Sequence, residues 1–112
     1  MDKLQATKIF ESLSSGIRLE VFRLLVKHAP TGLVAGEIAA VLDLPPNNLS
    51  FHLKAMSHAG LINVTQEGRY QRYRAHLTLM QTLIDYLTAE CCTADAEACF
   101  DTSNASKCCE SV

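Results

Sequence analysis

The chain has 112 residues, 48% of them apolar and 20% charged, with a net charge of −2 at pH 7. That length allows one domain with a real core and little room for a second, and dimerisation is a plausible supplement to the marginal stability of a domain this small. No run approaches the roughly 18 consecutive apolar residues of a spanning helix, and the N-terminal stretch from Met1 to Lys8 lacks a signal peptide's apolar segment, so the expectation is a cytoplasmic protein with no membrane partner.

Ala6, Ile9, Phe10 and Leu13 recur at helical spacing, and Ser14-Ser15-Gly16 breaks the run, which predicts a first helix from Leu4 to Ser14. A second helix spans Arg18 to His28, with Ile17, Val21, Leu24 and Leu25 on one face, and stops before the turn Ala29-Pro30-Thr31-Gly32. Gly36 to Leu42 reads as a short apolar helix. Asp43-Leu44-Pro45 separates it from a further helix, Pro46 to His58, so that two short helices meet across a tight turn in the helix-turn-helix pattern.

In that last helix Pro46 suits the first position, where no backbone N–H is needed, and Leu49, Leu53 and Met56 form one apolar seam. Asn47, Phe51, Lys54, Ala55 and His58 fall opposite the seam, with Asn48 and Ser50 on its flanks. The outer face holds no acid. Its Asn, Ser, His and Lys side chains are of the kinds that contact phosphates and base edges, so a recognition helix in a DNA major groove is one reading and an ordinary surface helix the other. His52 borders the seam and is assigned to packing or DNA contact. Phe51 needs a partner for its bare ring, and a thymine methyl or a neighbouring protein surface would supply one.

Ala59-Gly60 stops the helix. Leu61 to Thr65 is then β-branched and alternating, Gln66-Glu67-Gly68 turns, and Arg69 to Ala75 alternates again: a β-hairpin. Arg69, Arg72 and Arg74 on its turn and return strand suit a wing lying along a phosphate backbone, or merely solvate an exposed strand. From Asn47 to His76 the only acid is Glu67, against Lys54 and these three arginines. Leu77 to Cys91 follows as a long helix with Met80, Leu83, Ile84, Leu87 and Cys91 on one stripe. That stripe, with the apolar face of the first helix, is expected to pack against a second copy or within the chain.

Residues 1–92 thus form a domain that is mainly α with a β-hairpin, and residues 93–112 a cysteine-rich tail expected to be flexible. Five cysteines, at 91, 92, 99, 108 and 109, sit among Asp95, Glu97, Asp101 and Glu110. An odd count in an acidic cytosolic tail is a poor disulfide framework and a better soft-metal site. No nucleophile and base pair, phosphate loop or carboxylate dyad stands in a credible arrangement, so an enzyme is not expected.

Several local patterns together resemble the winged helix-turn-helix of the ArsR/SmtB family of metal-responsive repressors. Phe10, Leu13, Arg18 and Leu19 are similar to its opening; Glu37-Ile38-Ala39 through Ser50, His52 and Leu53, then Ala59-Gly60-Leu61-Ile62, to its central signature; and Gly68-Arg69 with Tyr73 to its wing. The resemblance covers residues 5 to 88 or so. It implies a homodimeric repressor, dimerising through its N- and C-terminal helices, on a partly palindromic double-stranded operator, each recognition helix in a major groove about 34 Å from the other.

Two of the family's metal sites find no counterpart. Leu33-Val34-Ala35-Gly36-Glu37 carries no cysteine where many arsenic-responsive members have a cysteine box, and His76 with Asp85 lacks the ligand spacing of the zinc-responsive members. Cys91, Cys92 and Cys99 resemble the C-terminal cysteine site of an arsenite-responsive subgroup, which implies arsenite, or antimonite, as the inducer, with Cys108 and Cys109 as further candidate ligands. The chemistry is compatible: As(III) and Sb(III) take three sulfurs in a pyramid, and neighbouring Cys91 and Cys92, with Cα atoms about 3.8 Å apart, can splay two sulfurs around one ion. A Cd, Zn or Pb site built from four of the five thiolates, a thiol redox switch, and a cysteine-rich metal buffer remain alternatives.

Overall fold

In the computed structural model, which describes residues 1–90, five helices and three strands follow in the order α1 (Lys3–Leu13), α2 (Gly16–Lys27), β1 (Leu33–Val34), α3 (Ala35–Leu42), α4 (Pro46–His58), β2 (Ile62–Glu67), β3 (Tyr70–Ala75) and α5 (Leu77–Thr88). The helix ends have local causes. Asp2 caps α1 by accepting from the Gln5 amide at 2.8 Å. The Glu37 carboxylate reaches back to the Val34 amide at 3.0 Å and satisfies a donor at the start of α3. That helix ends at Asp43, whose left-handed φ of 53° lets the Leu44 amide return to the Ala39 carbonyl at 3.1 Å. Pro46 then occupies the first position of α4.

One core unites every helix. Ala6 and Ile9 of α1, Val21, Phe22 and Leu25 of α2, Ile38 of α3 and Leu83 of α5 are buried with the predicted seam Leu49, Leu53 and Met56. Phe10, Ile84 and Leu87, on the stripes expected to pack against a second copy or within the chain, and Ile17 on the apolar face of α2 lie 36% to 56% exposed. A core this small covers only the middle of each stripe. No helix among the described residues is long and apolar enough to cross a membrane.

The sheet corrects the hairpin in two ways. Leu33 and Val34 pair antiparallel with Tyr73 and Arg72, so the return strand β3 is central in the order β1-β3-β2. Gln66 and Glu67 belong to β2, and Glu67 faces Tyr70, which leaves Gly68 and Arg69 as a two-residue turn. Gly68 has φ +60°, the positive value a type II′ hairpin requires at its first turn residue. Beside β3, Gly32 adopts φ +78°, and a Cβ there would collide with the Tyr73 carbonyl. At the other end of β3 the His76 amide donates to the Leu61 carbonyl at 2.9 Å, and its Nδ1 lies 3.1 Å from the Gly60 carbonyl, stapling the start of α5 to the end of α4. The expected extension of α5 to Cys91, the boundary at residue 93 and all five cysteines lie outside the described residues.

Candidate nucleic-acid interface

The seam of α4 fixes which way its other side chains face. With Leu49, Leu53 and Met56 at most 1% exposed, Asn47, Asn48, Ser50, Phe51 and Lys54 all stand on the solvent side. The ring of Phe51 is 66% exposed. His52 is half-buried at the edge of that face, where it meets a residue 34 positions away: Arg18 Nε donates to His52 Nδ1 at 3.0 Å. Accepting at Nδ1 places the ring proton on Nε2 and keeps the imidazole neutral. Burial first, and the nearby Arg18 charge second, hold the His52 pKa below its ordinary value. The Arg18 guanidinium also lies 5.9 Å from the Phe51 ring centre, and Phe51 meets His52 edge to face at 5.8 Å. Three side chains thereby set one another's orientation on the outer edge of the helix. The sequence alone placed Phe51 and His52 there but gave no sign of Arg18, because nothing local links α2 to α4.

Strand alternation divides the wing. The cross-strand register puts Thr65, Glu67, Arg72 and Arg74 on one face and Val64, Gln71 and Tyr73 on the other. The second face turns toward α4, and between them runs a groove of about 400 Å³ lined by Ser50, Lys54 and His58 from the helix and Val64, Gln71 and Tyr73 from the strands. Burial raises the Tyr73 phenol pKa, and its hydroxyl donates to Gln71 Oε1 at 3.0 Å.

The three wing arginines have different surroundings. Arg72 donates through Nε to Glu67 Oε1 at 2.9 Å and through Nη1 to the Gly32 carbonyl at 3.1 Å. The Glu67 carboxylate, with a lesser contribution from Glu37, raises the Arg72 pKa. Arg74 donates to Thr65 Oγ1 at 2.8 Å and approaches the other Glu67 oxygen at 3.6 Å. Only Arg69, at the tip of the turn, has no hydrogen bond or ion pair among the described residues. Glu67 makes this difference. It was readable as the sole acid of the stretch, but its place in the turn, and not in the strand, hid its cross-strand partners.

Among the described residues no group of three or more His, Cys, Asp or Glu side chains could hold a metal ion. The expected ligands Cys91, Cys92, Cys99, Cys108 and Cys109 lie outside those residues.

Residues 13–65 match the model of a helix-turn-helix domain family. Solved structures share the fold over most of the chain. HlyU from Vibrio cholerae N16961 is 26% identical, covering 82% of this chain and 99% of its own, with a TM-score of 0.64. The homodimeric winged helix-turn-helix DNA-binding domain Mb0332 from Mycobacterium bovis, a possible ArsR-family transcriptional regulator, is 25% identical over 77% of this chain and 80% of its own, with a TM-score of 0.60. An ArsR-like transcriptional regulator from Rhodococcus sp. RHA1 shares the fold at a TM-score of 0.69, with 24% identity over 77% and 78% of the two chains. No curated relative matches the chain.

Proposed function

We propose that the chain is a winged helix-turn-helix transcriptional regulator of the ArsR/SmtB family, a homodimeric repressor whose operator affinity falls when arsenite or antimonite binds cysteines of its C-terminal segment. The observation that carries the DNA-binding half is the outer face of α4. It is free of acids, presents Asn47, Asn48, Ser50, Phe51 and Lys54 to solvent, and stands beside a wing with an uncommitted arginine at its tip. Support for the dimer comes from apolar side chains left uncovered on the terminal helices, Phe10 on α1 and Leu77, Ile84 and Leu87 on α5. Mb0332 is a homodimer of this architecture.

The sensing half rests on the thiols. Cys91, Cys92 and Cys99 offer three soft ligands just beyond α5, with Cys108 and Cys109 in reserve. An ion bound there acts on the helix that sets the spacing of the two recognition helices, and a coupling of about 1 to 3 kcal/mol is enough to release an operator. Operator binding measured with and without arsenite tests both halves. Release by arsenite in the wild type and its loss in the Cys91→Ser/Cys92→Ser double variant is the expected result; undiminished release in that variant sinks the sensor assignment. Two vicinal cysteine pairs also favour a second reading, a thiol redox switch of the same fold. It predicts no response to arsenite under strict reduction.

A further inference from the structure

Behind the recognition helix lies a second cleft, which shares His58 with the groove beside the wing. It has a volume of about 310 Å³ and is walled by Lys8, Glu11 and Ser12 of α1, Arg18 of α2, and Ala55 and His58 of α4. That volume stands at the lower end of the range for small-molecule sites, so its occupant is compact.

Ser12 is the irregular member. It is 5% exposed, and its hydroxyl has no hydrogen-bond partner among the described residues. Hydroxyls elsewhere on these helices close back onto the carbonyl four residues earlier: Thr7 onto Lys3 at 2.7 Å, Thr82 onto Thr78 at 2.9 Å and Thr88 onto Ile84 at 2.8 Å. Ser12 does not, and a buried hydroxyl left unpaired is unfavourable. Ser12 is one of the residues lining a cleft with the opposite need. Lys8, Arg18 and His58 bring three basic groups against the single carboxylate of Glu11, and both ion pairs among the described residues lie on the wing at Glu67. Arg18 spends only its Nε on His52, which leaves the two terminal amino groups of its guanidinium without a hydrogen-bond partner among the described residues.

We propose that this cleft binds a compact oxyanion, a carboxylate or phosphate group, between Lys8, Arg18, His58 and the Ser12 hydroxyl, and that Arg18 reports its occupancy to the recognition helix. An anion recruiting the free end of Arg18 pulls on a side chain already bonded to His52 and packed over Phe51, the two aromatic residues at the edge of the DNA-facing surface. This is a second input to the same helix, independent of the cysteines. Its coupling half rests on the DNA-binding reading above; its binding half does not.

The test titrates the full chain, reduced and free of metalloid, with inorganic phosphate and separately with malonate, at an ionic strength held constant with chloride. Amide NMR shifts are expected to saturate at Lys8, Ser12, Arg18 and His58 with one or both probes, and which probe binds tells phosphate from carboxylate. Ser12→Ala and the exposed Lys8→Gln are each expected to weaken binding about tenfold, the latter guarding against a folding defect in the former. Shifts that drift without saturating across all lysines and arginines mean an adventitious ion only and overturn the site. So does saturable binding untouched by both variants. Operator affinity is then expected to change with probe in the wild type and to need about tenfold more probe for the same change in Ser12→Ala; an unchanged wild-type affinity overturns the coupling. A chain with no salt-dependent DNA binding at all sinks the regulator reading and leaves the anion result standing.

Discussion

Replacing Gly32 by alanine would set a Cβ against the Tyr73 carbonyl and hold a φ of +78° on a residue that disfavours it. Gly32→Ala is therefore expected to lose about 2 kcal/mol or more of stability, read as a lower urea midpoint with an unchanged slope. His52 offers a charge-based check at the same scale. The folded chain favours its neutral ring, first through burial and then through Arg18, whereas unfolding returns it toward the ordinary 6.5. Between those two values the unfolded chain binds more protons, so the contribution of His52 to stability is complete above pH 6.5 and is lost as the pH falls toward the folded value. An NMR titration should place the His52 midpoint below 6.5 in the wild type and higher in Arg18→Ala. An identical midpoint in the variant would leave burial as the only cause.

Among the elements, the wing separates residues that the sequence presented as equals. Arg69→Ala should weaken DNA binding without sequence preference, lower the slope of log K against log salt by about one, and leave the fold unchanged. Arg72→Ala should instead lower the melting temperature, because it strips Glu67 and the Gly32 carbonyl of their partner. Equal salt slopes for the two variants would contradict this division. What was legible in the sequence follows the same line. The seam and outer face of α4 were readable because its repeat covers about two turns of a helix that begins at a proline. The strand β1 was not, since two residues have no period, and its pairing is decided by β3 almost forty positions later. The Arg18–His52–Phe51 group was hidden for the same reason: a contact across helices leaves no mark on local spacing. Phe10, Ile84 and Leu87 sat on recognisable stripes, but periodicity does not say whether a stripe meets its own core or another surface.

For the whole molecule those uncovered side chains become the point of attack. Glutamate at Ile84 and Leu87 falls on exposed positions, so each subunit should keep its fold to within about 0.5 kcal/mol. Sedimentation should then find a monomer, and operator affinity should fall by about a hundredfold or more through loss of the second half-site contact. A double variant that still sediments as a dimer would move the interface elsewhere. The bonds from His76 to Gly60 and Leu61 would give the proposed dimer a mechanical property. They make α5 and α4 two arms of a crank that share a pivot at the foot of the hairpin. The arm formed by the twelve residues of α5 is about 18 Å long, and swinging it through roughly 10° moves its far end by about 3 Å. If the pivot transmits that swing, a comparable displacement at the DNA end approaches the 3.4 Å rise of one base pair, so a small tilt where α5 ends is enough to put the two reading heads out of step with the helical repeat.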